Sequence, residues 1–397
     1  MTDLIRQNIA EAVLNAVQNA VGVTSTFIPL HEPELSGHEL EYVKDCIDTG
    51  WVSTAGPYVE KFENNLAEYT GTKYAIATSS GTAALHLALI LAGVESGDEV
   101  IVPALSFIAT ANAVKYCGAV PHFVEISPET LGINPFILES YLSEITEITS
   151  EGLINKASGR RISAVVPMHT FGHPADLDEL LQLCHKLKLP LVEDAAESLG
   201  STYKGHHCGT FGKVAALSFN GNKVVTTGGG GALLTNDAEI ARKAKHLSTT
   251  AKLPHKWDYV HDEVGYNYRM PNINAALGCA QLEKLPNWIT EKRRLAEKYA
   301  KVFDPIPSIR FLTEPMETQS NYWLNAIIIE EENIKIRDSI LHILNDANYM
   351  SRPAWTLLCD LRPFADCPRM ENLVTAKKIE GTLINLPSSP ALIRKWS

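Results

Sequence analysis

No pair of cysteines in this 397-residue chain is spaced as Cys-x-x-Cys, and no stretch is strongly basic. Nor does any uninterrupted apolar run reach the roughly 18 residues of a membrane span. Each absence removes a class of function. The seven cysteines, at 46, 117, 184, 208, 279, 359 and 367, cannot all pair, so the chain reads as reduced and without a structural metal. His169, His173, His206 and His207 stand in separate loops without ligand spacing, and no metal is expected there either. Lys and Arg total 35 against 46 Asp and Glu, a net charge of −11. That balance argues against nucleic acid or an anionic membrane as partner. Internal repeats and low-complexity tracts are also missing. With 45% hydrophobic and 20% charged residues, the chain is too apolar for a disordered one. A soluble, cytoplasmic protein of two domains is expected.

The N-terminal stretch lacks the basic segment of a signal peptide and carries Asp3 and Glu11. Ile5, Ile9, Val13, Ala16 and Val17 recur at helical spacing, which predicts a docking or oligomer-contact helix. Residues 1–26 are thus read as a helical extension. From residue 57, helical patterns alternate with short apolar runs. Tyr74–Thr78, Glu99–Pro103, Val120–Val124, Ile162–Val166 and Leu189–Glu193 read as strands. Helices are expected at Gly81–Ala92, Ala109–Tyr116 and Asp176–Leu187. Strands without a polar face are covered by helices on both sides, so the sheet should be largely parallel. Val214–Phe219 and Gly231–Thr235 read as a hairpin-like pair around a glycine-rich turn. After Pro271 come two helical stretches, Ile273–Leu285 and Ile289–Phe303, and then a proline-rich break at 304–307. A strand at Trp323–Ile329 and a helix at Lys335–Asn345 follow. The division is a large α/β domain over 27–304 and a smaller α+β domain over 305–397.

Ligands of open α/β sheets bind at the carboxyl ends of strands, and four such places carry polar residues. In Thr78-Ser79-Ser80-Gly81-Thr82, a strand gives way to hydroxyls and glycine just before a helix. Free N–H groups and the helix dipole make that junction an anion site, although Ser80 reads equally well as a plain N-cap. Asp194 follows an apolar strand and would need a cationic partner. It can hold a proton on a heteroaromatic nitrogen or simply cap a helix. Lys223 follows Ser218, Phe219 and Asn220 in a loop of small residues. Desolvation there would suit a Schiff-base lysine, whereas a lone loop lysine is ordinarily solvated. The glycine run matches neither the P-loop nor the dinucleotide spacing. In Gly265-Tyr266-Asn267-Tyr268-Arg269, aromatics interleave with an amide and a guanidinium. That mixture can bind a phosphate or sugar, or cap the following helix.

The order of these signals is more specific than any one of them. Phosphate-type loop, strand-end aspartate, then Ser-Phe-x-x-x-Lys resembles the aspartate-aminotransferase-like, fold type I enzymes that use pyridoxal 5'-phosphate. More closely, the sequence resembles the DegT/StrS sugar-nucleotide aminotransferases over nearly its whole length. The specific pieces are 80–84, 106–110, 193–196, Ser218-Phe219 with Lys223, and 265–269. The resemblance implies that Lys223 forms the Schiff base, Asp194 pairs with the pyridine nitrogen and Phe107 stacks on the ring. It implies that Gly81, Thr82 and Ser218 hold the phosphate, with Ser80, Glu197 and Asn220 also at the cofactor. Asn267 is implied to reach the phosphate of a partner subunit, which makes the enzyme a homodimer with shared sites. Arg269 is implied to lie near the nucleotide-sugar, and Trp51, Tyr266 and Tyr322 are expected to add aromatic contacts. Many members carry His or Gln where this chain has Glu197, and an acidic residue where it has Gly229. The Asn220–Lys223 and four-glycine version looks like the bacillosamine and legionaminic-acid branch. That branch implies amino transfer from glutamate to C4 of a UDP-linked 2-acetamido-4-keto-6-deoxyhexose. The alternatives are a GDP- or dTDP-keto-sugar aminotransferase and a sugar dehydratase of the same fold. Characterised dehydratases of that kind replace the lysine with histidine, and Lys223 is retained here.

Overall fold

The computed structural model describes residues 3–330 and 334–394. The side chains of residues 3–5, including Ile5, and of residue 334 lie outside the description. At the centre is one twisted sheet in the order Tyr74–Thr78, Gly231–Thr235, Val214–Ser218, Val192–Asp194, Arg161–Val165, Glu99–Pro103, Val120–Val124. Hydrogen bonding runs through each half, and parallel bridges Val165–Leu191 and Met168–Asp194 join the halves. Gly231–Thr235 is antiparallel to both its neighbours, while the remaining pairs are parallel. Glu99–Pro103 and Gly231–Thr235 are buried along their whole length, which is why they read as continuous rather than alternating apolar runs.

The helix Gly81–Ala92 is buried on nearly every side, matching its lack of a polar face. Ser80 caps it by accepting the Ala83 N–H at 3.1 Å. Two glycines let this helix start close against the sheet. A Cβ on Gly81 would lie 2.7 Å from Ser218 Cβ, and one on Gly231 would lie 2.4 Å from the Ser80 carbonyl carbon. The helix N-terminus is thereby pressed onto two strand ends.

The two helical stretches expected around Pro286 are one helix, Asn272–Phe303. A proline inside a helix removes an N–H donor and costs about 3 kcal/mol. Burial on both sides of it offsets that cost. Ala275, Cys279, Leu282 and Leu285 pack into the main core, whereas Leu295, Tyr299 and Phe303 pack into a second apolar cluster. Each fully buried Leu-sized side chain contributes about 1.5–3 kcal/mol. The helix therefore continues through the proline and ties two cores together.

The second cluster also takes Val13, Val17 and Val21 from the first helix, Asp3–Val21. So the apolar stripe at the N-terminus docks onto the chain's own C-terminal elements. Those elements include an antiparallel sheet in the order Ile309–Phe311, Asn325–Ile329, Leu383–Leu386, Arg352–Pro353. A hairpin, Thr146–Thr149 with Gly152–Asn155, was not expected from the sequence, because its strands are short, polar and largely exposed on the first arm. Among the described residues, no helix is long and apolar enough to cross a membrane.

Candidate active site

A cavity of about 640 Å³ opens where the strands of the central sheet end. One wall is Ser80, Gly81, Thr82, Phe107, Asp194 and Ser218. Arg352, Ala354, Trp355 and Asn385 supply another from the C-terminal part of the chain. Strand ends therefore deliver the polar groups, as the sheet topology requires.

Asp194 ends its strand and is 4% exposed. Thr110 Oγ1 donates to its Oδ2 at 2.7 Å, and the Ala196 N–H donates to Oδ1 at 3.2 Å. Burial raises its pKa, against the opposing effects of those two bonds and of the Lys223 charge. Its backbone is fixed on both sides, by the Pro167 carbonyl and by the His169 N–H. The preceding carboxylate, Glu193, serves the scaffold. It accepts from the Gly209, Phe211 and Gly212 N–H groups and lies 3.1 Å from His169 Nε2. Burial pushes the Glu193 pKa up, but the His169 contact and those amides outweigh it and hold it below the usual value. Adjacent strand residues point to opposite faces, so one carboxylate is left for the cavity.

Lys223 Nζ lies 3.1 Å from Glu197 Oε1 and 3.7 Å from the centre of the Trp323 ring. Glu197 Oε2 accepts the Phe171 N–H at 2.9 Å. Burial raises the Glu197 pKa to about 6, even though the Lys223 charge and the Phe171 bond pull it down. Phe171 sits at φ 57°, a left-handed conformation that costs a non-glycine residue about 1–3 kcal/mol. That turn aims its N–H at Glu197. The lysine is thus enclosed by a carboxylate and an indole rather than solvated.

At the other end, Ser80 Oγ is occupied as a cap, while Gly81 and Thr82 form the first helical turn and face the cavity. First-turn N–H groups are free donors at the positive end of the helix dipole. Ser218 Oγ stands beside them, within 3.0 Å of where a Gly81 Cβ would be. Asn220 also lines the cavity, with its Nδ2 donating to Asn222 Oδ1 at 3.1 Å. Phe107 is 48% exposed and turned into the opening, 6.1 Å from Trp355 between ring centres.

Five other expected residues do not line this cavity. Trp51 is 53% exposed elsewhere, and its carbonyl accepts from Asn272 Nδ2 at 2.7 Å. Tyr266 stacks on Tyr268 at 5.0 Å and meets His86 edge-on. Asn267 is exposed on the surface, and its backbone bridges Thr249. The Arg269 backbone bridges Thr78, next to the helix N-terminus. Tyr322 is a correction: it is 6% exposed, its ring stacks on Phe311, and its hydroxyl accepts the Glu314 N–H at 3.3 Å. Its φ of 45° turns the chain so that Trp323, not Tyr322, faces the cavity. Sequence reasoning also missed His31, Arg352, Trp355 and Asn385 on the cavity wall. None of them stands at a strand-to-helix junction of the kind that marks Ser80, and pairing between distant segments brings them here.

The family model of the DegT/DnrJ/EryC1/StrS aminotransferases matches residues 33–395. GDP-perosamine synthase of Escherichia coli O157:H7 is 37% identical over 368 residues, covering 92% of this chain and 94% of its own. The Vibrio cholerae GDP-perosamine synthase is 38% identical over 371 residues, covering 92% and 95%. In structure, the chain resembles Helicobacter pylori PseC, an aminotransferase involved in the biosynthesis of pseudoaminic acid. The TM-score is 0.84 at 25% identity, over 93% of this chain and 97% of that one. The chain belongs to the DegT/DnrJ/EryC1/StrS family and is a pyridoxal-phosphate-dependent sugar aminotransferase.

Proposed function

We propose that the enzyme transfers an amino group from glutamate to C4 of a nucleotide-linked 4-keto-6-deoxyhexose, working as a homodimer with shared active sites. The observation that carries this reading is one cavity holding Asp194, Lys223 with Glu197, and the N-terminus of Gly81–Ala92. The residues fit pyridoxal phosphate. Gly81 leaves a cradle that a Cβ would fill, beside a helix N-terminus and the Ser218 hydroxyl, as a phosphate requires. Asp194 is a buried carboxylate with only a hydroxyl and one amide on it, and a protonated ring nitrogen would complete it.

Bound there, the cofactor supplies the electron sink for amino transfer. Asp194 holds the proton on the ring nitrogen, and Thr110 orients the carboxylate. Lys223 Nζ is the group that anchors the cofactor and then carries the proton of the reacting substrate carbon. Glu197 keeps that nitrogen at the cavity and Trp323 limits its access to water. Phe107 covers the ring, and Asn267 reaches the phosphate of the partner's site.

For the nucleotide, the relatives named for GDP-perosamine favour a GDP-linked substrate. They do not support the UDP-linked N-acetyl sugar or the bacillosamine branch expected from the Asn220–Lys223 loop. We therefore place the GDP-linked 4-keto-6-deoxyhexose first. The test is a screen of GDP-, UDP- and dTDP-linked 4-keto-6-deoxyhexoses against the amino-loaded enzyme, following return of the visible absorbance. The highest kcat/KM should fall to the GDP-linked sugar, and a preference for the UDP-linked N-acetyl sugar would restore the first expectation.

A further inference from the structure

Two buried polar side chains on the cavity wall carry atoms that make no well-formed hydrogen bond among the described residues. His31 is 9% exposed with neither ring nitrogen in a well-formed hydrogen bond, and Asn385 is 3% exposed with Oδ1 unpaired. Both line the cavity that holds Lys223 and Asp194. Their placement is built, not incidental. The Ile28 N–H donates to the Asn348 carbonyl, the Met350 N–H to the Ile28 carbonyl, and the Ser388 N–H to the Leu30 carbonyl. Those bonds thread the segment before His31 between two parts of the C-terminal unit. Asn385 is directly opposite Arg352 in the sheet, and Arg352 lines the same cavity.

The chemistry of the pair selects its ligand. Burial, then the charges of Lys292 and Lys223, push the His31 pKa well down, against a weaker opposing effect of the Asn222 backbone. The imidazole is neutral, with one donor and one acceptor nitrogen. Asn385 Oδ1 is an acceptor and needs a donor. A carboxylate, acceptor only, cannot satisfy it, whereas a hydroxyl donates and accepts. Glutamate's one donor is its α-ammonium, the nitrogen that is transferred and so must sit by Lys223, whereas the keto-sugar carries ring hydroxyls that can both donate and accept.

We propose that His31 and Asn385 form a subsite that reads a hydroxyl of the sugar ring and so sets selectivity for the sugar. This rests on the keto-sugar reading above. The experiment follows the two half-reactions of the holoenzyme separately, with glutamate and with the GDP-linked 4-keto-6-deoxyhexose and its 2-deoxy and 3-deoxy forms. Wild type should disfavour at least one deoxy form by about 10- to 100-fold in kcat/KM. In His31→Phe and in Asn385→Leu, the parent sugar should lose a similar factor relative to glutamate, and the preference against that deoxy form should collapse. Loss of both half-reactions by the same factor, or a retained preference in the variants, overturns the subsite. Reaction with glutamate but with no keto-sugar nucleotide overturns the underlying substrate reading, and the subsite with it.

Discussion

Lys223 Nζ and Glu197 Oε1 stand 3.1 Å apart in a site where the carboxylate is buried and the lysine nearly so. Burial raises the Glu197 pKa to about 6 in the cofactor-free protein. Because the folded value exceeds the unfolded one, the stabilising contribution is fully present below the unfolded pKa of about 4.3 and is lost as pH rises through about 6. Glu197→Gln cannot ionise. Relative to wild type, the cofactor-free variant should be more favoured at pH 7.5 than at pH 5, by about 1 kcal/mol. Denaturant titration at the two pH values checks this, and an identical difference at both would contradict it.

Lys223→Ala should still bind cofactor but lose turnover by several orders of magnitude, since the proposed anchor and proton carrier are one group. Borohydride should fix cofactor to wild-type protein and not to the variant. Reductive fixation in Lys223→Ala would place the anchor elsewhere.

Much of this was legible locally. Tyr74–Thr78, Glu99–Pro103, Val120–Val124 and Gly231–Thr235 are apolar runs bounded by turn residues, and their bounds coincide with the strands. Ser80 follows the first of them, while Asp194 was expected just beyond a strand at 189–193 and instead ends Val192–Asp194, and Ser218 ends a strand expected to run one residue further. What depended on distant packing was not legible. Pro286 reads as a break until both halves of its helix are seen to bury in different cores. Tyr322 and Trp323 are adjacent aromatics, and only the positive φ at Tyr322 decides which one meets Lys223. His31 reaches the cavity through pairing with residues more than 300 positions away.

Asp194→Asn keeps the size of the side chain and removes its charge, so amino transfer should fall by orders of magnitude with the fold intact. Thr110→Val removes one hydrogen bond of 2.7 Å to that carboxylate and should cost about tenfold. Near-normal single-turnover rates in Asp194→Asn would remove the assigned role.

Gly81→Ala drives a methyl to within 2.7 Å of Ser218 Cβ and 3.2 Å of its Cα. The helix start must then move off the strand end. Cofactor affinity should weaken at least about tenfold, equal to about 1.4 kcal/mol. Fluorescence titration of the apoenzyme measures it, and unchanged affinity would show that the close approach does not serve the phosphate.

Asn267 is exposed and outside its own chain's cavity, in keeping with a role in a partner's site. Inactive Lys223→Ala and Asn267→Asp enzymes, mixed under conditions of subunit exchange, should regain up to about a quarter of wild-type activity. Half the dimers are then hybrids with one intact site each. No recovery after proven exchange would argue for sites complete within one chain.

The most direct test of the central claim is the structure of the product. Enzyme supplied with glutamate and a GDP-linked 4-keto-6-deoxyhexose is expected to yield a nucleotide sugar bearing nitrogen at C4, with 2-oxoglutarate in equal amount, by NMR and mass spectrometry. Release of a deoxygenated sugar without nitrogen, or an amino group at another carbon, would contradict it.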